Sequence, residues 1–250
     1  MPLLCMKNSM NFHHPGTHNV MTLVSSPNRR PAPLKHIIQQ IMNIPNPTSN
    51  FHEDAAQCWM AMSRFSNLAY LQVPYQTRIS CEFCNITNSQ PLQTTGLFPT
   101  NIKTYRDSLS NLCYNGNEQI KRIFNESEEV DARCLLCHNK KSIGTFLLVA
   151  PEFLAVQFKL FDNNLNKIQA RSNHYSSVCI ATDNGNSLYT VVATIQHIGE
   201  TIRSGHYVAY IKKNDTWFRC DDERITVSRD HKAVKNAYIV ILQKIPIDNV

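Results

Sequence analysis

The strongest constraint on the fold lies after residue 150, where the chain becomes a succession of short strand-like segments. These segments are rich in Val, Ile, Tyr, Phe and Thr, which favour strands, and turn-forming residues separate them. The segments are FLAVQFKLF, SSVCIA, SLYTVVATIQHIG, HYVAYIKK, TWFRCD, ERITV and AYIVILQ. Asn214 and Asp215 lie between the fourth and fifth of them and predict a hairpin turn.

One amphipathic helix is predicted in the first half of the chain. In NFHEDAAQCWMAMSRFSNLAY, apolar residues recur at spacings of three and four from Ala55 to Ala69. Asn50 followed by Glu53 fits a capping box at the start of this helix. Helices that precede a set of antiparallel strands predict an α+β fold.

Composition limits the functional classes. The 250 residues are 42% hydrophobic, which is enough for a packed core. No membrane is expected as a partner, because there is no run of eighteen apolar residues. The net charge of +6 is dispersed along the chain, so no nucleic acid is expected either. The chain has nine cysteines and lacks a secretory signal, which predicts an intracellular protein of the cytoplasm or nucleus.

Four of the cysteines form two C-x-x-C pairs, Cys81 with Cys84 and Cys134 with Cys137. Two such thiolate pairs can complete a tetrahedral Zn²⁺ site, and a closed four-thiolate site is structural because it leaves no open position. The alternative is four unrelated buried cysteines, which two independent pairs disfavour. A thioredoxin-like redox role is also disfavoured, because neither pair opens a helix after a buried strand.

A histidine and two aspartates occupy neighbouring strand-like segments. His206 begins one segment, and Asp221 and Asp222 end the next. A carboxylate on an adjacent strand can accept the imidazole N–H and set its tautomer, as a general base requires. The alternative is a half-buried histidine that is satisfied by a backbone carbonyl.

The surrounding block, YTVVATIQHIGETIRSGHYVAYIKKNDTWFRCDDERITV, resembles the histidine box of ubiquitin-specific proteases. The matching elements are His-Ile-Gly at 197–199, Gly-His-Tyr-Val-Ala-Tyr at 205–210, Trp-Phe at 217–218 and Asp-Asp at 221–222. Cys220 stands where the family usually has Phe. PEFLAVQFKLF and NAYIVILQK resemble further strands of that family, and Asp54 with Ala55 resembles part of its Gln-Gln-Asp-Ala element.

The resemblance implies one catalytic domain over 1–250 with a papain-like fold. Its helical thumb would span 1–72, its zinc-bearing fingers 73–150, and its palm with the histidine box 151–250. Structural Zn²⁺ would be held in the fingers by the two C-x-x-C pairs. The implied partners are ubiquitin and ubiquitinated proteins.

The resemblance also implies the roles of individual residues. Cys5, in the Cys-Met-Lys-Asn-Ser stretch, matches the family's cysteine box and would be the nucleophile. His206 would be the base, with Asp221 orienting it and Asp222 assisting. The expected substrate-binding residues are Asp54, His197 and Tyr207.

Together these patterns predict a thiol-dependent deubiquitinase that hydrolyses isopeptide or peptide bonds at the C-terminal glycine of ubiquitin. Two alternatives stay open at this point. The first is a ubiquitin-binding pseudoenzyme or scaffold, which is favoured by the absence of Asn from the residues that precede Cys5. The second is a zinc-containing interaction module unrelated to ubiquitin, which would leave the histidine box unexplained.

Overall fold

The computed structural model describes residues 54–64, 66–173, 177–201, 204–222, 224–229 and 233–246. The helices are α1 (Ala55–Ser63), a 3-10 helix (Ser66–Leu71) and α2 (Gly116–Asn125). The first strands are β1 (Val73–Cys81), β2 (Ile86–Ser89), β3 (Gln93–Thr95), β4 (Phe98–Asn101), β5 (Tyr105–Arg106), β6 (Leu112–Asn115), β7 (Ser127–Arg133) and β8 (Lys140–Leu147). The remaining strands are β9 (Phe153–Lys159), β10 (Arg171–Asn173), β11 (Val178–Thr182), β12 (Gly185–Thr201), β13 (Ser204–Lys213), β14 (Thr216–Asp221), β15 (Arg224–Ser228) and β16 (Ala237–Lys244).

Most of the strands belong to one mixed sheet. Its longest path runs β15-β14-β13-β12-β11-β8-β1-β2, and β16 branches from β12 to pair with β9. A separate three-stranded sheet has the order β10-β6-β5. The strand predictions made for the second half of the sequence are all confirmed. Most of the described residues with regular secondary structure lie in strands, so the described part of the chain contains less helix than the α+β prediction suggests.

The hydrophobic core lies against the central strands β9, β12 and β16. Residues 237–242 of β16 are all buried, and Ile241 pairs with Ala155 of β9. Burying an Ile or Leu side chain stabilises the folded state by about 1.5–3 kcal/mol. This core therefore fixes β12, and through it the β13–β14 hairpin.

Helix α1 begins one turn later than the sequence pattern suggested. Its N-cap is Asp54, whose Oδ1 accepts hydrogen bonds from the backbone N–H groups of Ala56 at 2.7 Å and Gln57 at 3.2 Å. The predicted capping pair, Asn50 and Glu53, lies outside the described residues. An aspartate at position 54 can cap the helix on its own, because its carboxylate reaches two of the four orphan donors of the first turn.

The β13–β14 hairpin forms where it was predicted. β13 ends at Lys213, β14 begins at Thr216, and the two residues between them, Asn214 and Asp215, have φ of 48° and 60°. Positive φ at both central residues is the signature of a type I′ turn, whose twist matches that of the flanking strands. This tight turn sets the register that aligns the far ends of both strands.

Candidate active site and cysteine cluster

His206 and Asp221 lie together at the open end of the β13–β14 hairpin. His206 Nε2 is 2.5 Å from Asp221 Oδ1. The register pairs Ala209 with Cys220 and Tyr210 with Arg219, so alternation of side chains places His206 and Asp221 on one face of the sheet. With Nε2 held by the carboxylate, Nδ1 is the ring nitrogen that can exchange a proton.

The carboxylate of Asp221 has a different partner on each oxygen. Arg219 Nη2 lies 2.7 Å from Oδ2, while His206 occupies Oδ1. The hydrogen bond from His206 is the main reason that the pKa of Asp221 lies below its ordinary value, and the bond and charge of Arg219 lower it further. Asp221 is therefore held as a carboxylate, the form that accepts the imidazole N–H.

Asp222 completes a cluster of titratable side chains at this end of the hairpin. Its carboxylate, that of Asp221 and the imidazole of His206 have ligand atoms within 4.8 Å of one another. The backbone of Asp222 is in the left-handed region at φ 49°, a conformation that Asp tolerates better than most residues. The structure thus brings together three of the four residues expected to act in catalysis.

His197 lies in the core beside this cluster and only 3% of its surface is exposed. Its ring packs edge-on against Phe161 and Tyr207, with centroids 5.3 and 4.9 Å away. Burial is the main reason that its pKa is lowered, with the charge of Lys167 adding to it. Nδ1 of His197 is buried and has no hydrogen-bond partner among the described residues.

Two glycines make room for the His197 ring. A Cβ built on Gly205 would lie 2.2 Å from Nε2, and one on Gly199 would lie 2.9 Å from Cε1. Gly199 also has a φ of +152°, which L side chains rarely adopt. Glycine is therefore required at both positions for steric reasons, because the His197 ring lies directly over the backbone next to His206.

Asp54 ties helix α1 to the sheet. Its Oδ2 accepts hydrogen bonds from the hydroxyls of Tyr238 at 2.7 Å and Tyr207 at 3.4 Å. Burial, together with the charge of Asp54, raises the pKa of both tyrosines, so both remain protonated donors. Gln157 Nε2 in turn donates to the Tyr238 hydroxyl at 2.6 Å. Asp54 and Tyr207, both expected to bind substrate, therefore contact each other directly.

Three contributors to this region were missed by the sequence analysis: Arg219, Tyr238 and Lys167. Lys167 is half-buried, which lowers its pKa, and its ammonium donates to the carbonyl of His197. Arg219 and Tyr238 lie in segments that the sequence predicts to be strands. No local pattern, however, identifies Arg219 as a partner of Asp221 or Tyr238 as a partner of Asp54. The expected nucleophile, Cys5, lies outside the described residues.

The four predicted zinc ligands form one cluster at the far end of the ribbon made by β1, β2, β7 and β8. Cys81 ends β1, and the second pair lies in the β7–β8 turn. The antiparallel pairing of β1 with β8 brings these two places together. The Sγ atoms all lie within 4.8 Å of one another, with Cys81 to Cys137 at 3.5 Å and Cys84 to Cys134 at 4.0 Å.

This geometry is compatible with zinc. Four thiolates at about 2.3 Å from a tetrahedral Zn²⁺ would be roughly 3.8 Å apart. A hydrogen bond from the backbone N–H of Asn139 is the main reason that the pKa of Cys137 falls to about 6. A hydrogen bond from the backbone N–H of Cys137 is the main reason that the pKa of Cys134 is also lowered. Cys84, which donates to Cys137, has its pKa raised to about 12. Cys81 is the last residue of β1, Cys84 and the second pair lie in turns, and, as predicted, neither pair opens a helix.

Comparison with known proteins decides the family. The family model for ubiquitin carboxyl-terminal hydrolase matches residues 31–242, most of the chain. The chain belongs to this family. Ubiquitin carboxyl-terminal hydrolase 46 of Caenorhabditis elegans is 28% identical over 118 residues, covering 41% of this chain and 28% of the relative. Human ubiquitin carboxyl-terminal hydrolase 3 is 29% identical over 138 residues, covering 48% and 26%.

Solved structures share the fold. A SAGA DUB module containing Ubp8, Sgf11, Sus1 and Sgf73, bound to monoubiquitin, superposes with a TM-score of 0.57 at 14% identity. The match covers 92% of this chain and 48% of that chain. A yeast SAGA DUB module gives 0.57 at 15% identity, covering 92% and 51%. The chain thus spans about half of these structures and about a quarter of the two curated relatives.

No helix in the described part of the chain has both the length and the apolar character needed to cross a membrane.

Proposed function

We propose that this member of the ubiquitin carboxyl-terminal hydrolase family is a thiol-dependent deubiquitinase that cleaves the bond after the C-terminal glycine of ubiquitin. The observation that carries the proposal is the 2.5 Å contact between His206 Nε2 and Asp221 Oδ1. A base whose far nitrogen is fixed by a carboxylate is the arrangement that activates a thiol.

In this mechanism Cys5 is the nucleophile. His206 Nδ1 takes the thiol proton, and the resulting thiolate attacks the glycine carbonyl carbon. The imidazolium then gives its proton to the leaving amine as the carbon–nitrogen bond breaks, which leaves a thioester. Water, deprotonated by His206, hydrolyses the thioester and regenerates the thiol. Asp221 keeps the ring oriented throughout, and Asp222 adds negative charge that stabilises the imidazolium.

The ubiquitin tail would pass along Asp54, His197 and Tyr207. The bond from Tyr207 to Asp54 Oδ2 is long, at 3.4 Å, so a substrate N–H can compete for that oxygen. The buried ring of His197 packs against Tyr207 and would hold that side chain in place for the tail. The long bond between Tyr207 and Asp54 favours recognition of an extended peptide backbone.

The cysteine cluster would hold structural Zn²⁺ through Cys81, Cys84, Cys134 and Cys137. The ion would cross-link β1 to the β7–β8 turn beside β2 and β7, whose residues are almost all exposed. Such a closed site contributes to folding and takes no part in the chemical step.

The proposal is tested with a ubiquitin probe that carries an electrophile at its C-terminus. The wild-type chain should form a covalent adduct, and Cys5→Ala should not. Cys179→Ala is the matched control, because Cys179 is exposed and lies on β11, whereas His206 and Asp221 lie on β13 and β14. An adduct that persists in Cys5→Ala would overturn the choice of nucleophile. A folded wild-type chain that binds ubiquitin without reacting would overturn the hydrolase proposal in favour of a binding protein.

A further inference from the structure

The carboxylate of Asp221 contacts two side chains, His206 and Arg219. Only His206 acts in the proposed chemistry. His206 holds Oδ1 at 2.5 Å, and Arg219 holds Oδ2 at 2.7 Å. Both side chains of the second pair are partly buried, with 33% of Arg219 and 26% of Asp221 exposed. A charge-assisted bond in such a place restricts rotation of the carboxylate.

The strand geometry explains why Arg219 occupies this position. Arg219 and Asp221 are two residues apart on β14 and therefore point to the same face. Arg219 pairs with Tyr210 on β13 and with Thr226 on β15, so it is flanked on both sides in the sheet. Its guanidinium is planar and permanently charged, which suits it to fix a carboxylate plane.

Without Arg219, two effects would disturb the orientation of the Asp221 carboxylate. Oδ2 would lose the hydrogen-bond partner that it has among the described residues, and the carboxylate could rotate about χ2. Asp222 also has a carboxylate oxygen within 4.8 Å, and like charges at that distance repel. Arg219 offsets this repulsion and keeps Oδ1 aimed at Nε2.

We propose that Arg219 is a positioning residue that acts on His206 through Asp221. The inference rests on the proposed hydrolase function, because it concerns the orientation of the base. Arg219 contacts Asp221 rather than the reacting atoms, so its loss should lower kcat and leave KM nearly unchanged. Misplacement of a group by a fraction of an ångström to 1 Å corresponds to roughly 10–100-fold in rate.

The test compares Arg219→Met, Arg219→Lys and the matched control Arg224→Met in hydrolysis of a fluorogenic ubiquitin C-terminal amide. Arg224 pairs with Asp221 across the β14–β15 ladder but forms no ion pair in the described part of the chain. Arg219→Met should lose roughly 10–100-fold in kcat, Arg219→Lys should recover part of it, and Arg224→Met should stay within about 2-fold. Equal losses in Arg219→Met and Arg224→Met would overturn the proposal.

A double-mutant cycle separates positioning from general destabilisation. In an Asp221→Asn background, Arg219→Met should cause no further loss of kcat, because the residue through which it acts has already been changed. Losses that multiply in the double variant would show that Arg219 acts independently of Asp221, and the proposal would fail.

A second readout does not depend on activity. The proton shared by His206 and Asp221 should give a strongly downfield NMR signal in the wild type and in Arg224→Met, and Arg219→Met should lose it. Retention of that signal in Arg219→Met would overturn the positioning role. Absence of probe adduct in the wild type, with this NMR pattern intact, would instead count against the hydrolase function alone.

Discussion

The imidazole of His197 lies so close to Gly205 that a Cβ on residue 205 would be 2.2 Å from Nε2. The ring cannot retreat freely, because Phe161 and Tyr207 pack against its sides. Gly205→Ala should therefore lower the free energy of unfolding by about 1–3 kcal/mol, as overpacking does in other cores. Urea denaturation of the purified variant measures this.

A compensating change tests the steric origin of that loss. In a His197→Ala background the ring is absent, so Gly205→Ala should cost less than it does in the wild type, and the cost that remains comes from the Ile198 carbonyl oxygen, 2.7 Å from the added Cβ. The same cost in both backgrounds would mean that the backbone of residue 205, and not the contact with His197, is responsible.

Tyr238→Phe removes the 2.7 Å hydrogen bond that ties the sheet to Asp54 on helix α1. Hydrogen bonds to charged groups contribute about 1.5–3 kcal/mol, so unfolding should become easier by that amount. Tyr189→Phe is the matched control, because its hydroxyl donates to the neutral carbonyl of Pro151, also at 2.7 Å. Its expected cost is about 0.5–1.5 kcal/mol. Equal costs in the two variants would show that the charge of Asp54 adds nothing.

The cysteine cluster should bind one zinc ion per chain. Cys137→Ser should reduce the zinc content of the purified protein and lower its Tm, because a hydroxyl is a poor replacement for a thiolate ligand. Elemental analysis and thermal unfolding provide the two measurements. Cys179→Ser changes an exposed cysteine outside the cluster and should affect neither. Zinc content that is equal in both variants would contradict a four-thiolate site.

The contribution of Asp221 to stability should depend on pH. Its folded-state pKa is lowered, first by the hydrogen bond from His206 and then by Arg219. Its stabilising effect should therefore be complete above the ordinary Asp value of about 3.9 and be lost as pH falls through the lower folded-state value. The difference in unfolding free energy between the wild type and Asp221→Asn should be constant near neutral pH and shrink in acid. A difference that grew on acidification would contradict the lowered pKa.

Much of the sheet could be read from the sequence, because strands and tight turns have local signatures. The segments after residue 150 alternate and end at turn residues, and all of them form strands in the structure. The apolar spacing predicts helix α1, but the capping-box pattern puts its start at Asn50. The sequence does not single out the cap at Asp54, because several residues there can cap a helix and the choice depends on which carboxylate also meets the sheet.

The sequence by itself determined the family resemblance, the hairpin turn, the two cysteine pairs and the His206–Asp221 partnership. The hairpin turn and the two C-x-x-C pairs depend on short spacings that local patterns suffice to predict, whereas the His206–Asp221 partnership follows from the resemblance to the histidine box. Only the tertiary structure decided that Tyr238 would meet Asp54, 184 residues away, and that the ring of His197 would lie over Gly205. Such contacts depend on strand register and on how α1 packs against the sheet, which are set by burial of the whole core and leave no local pattern in the chain.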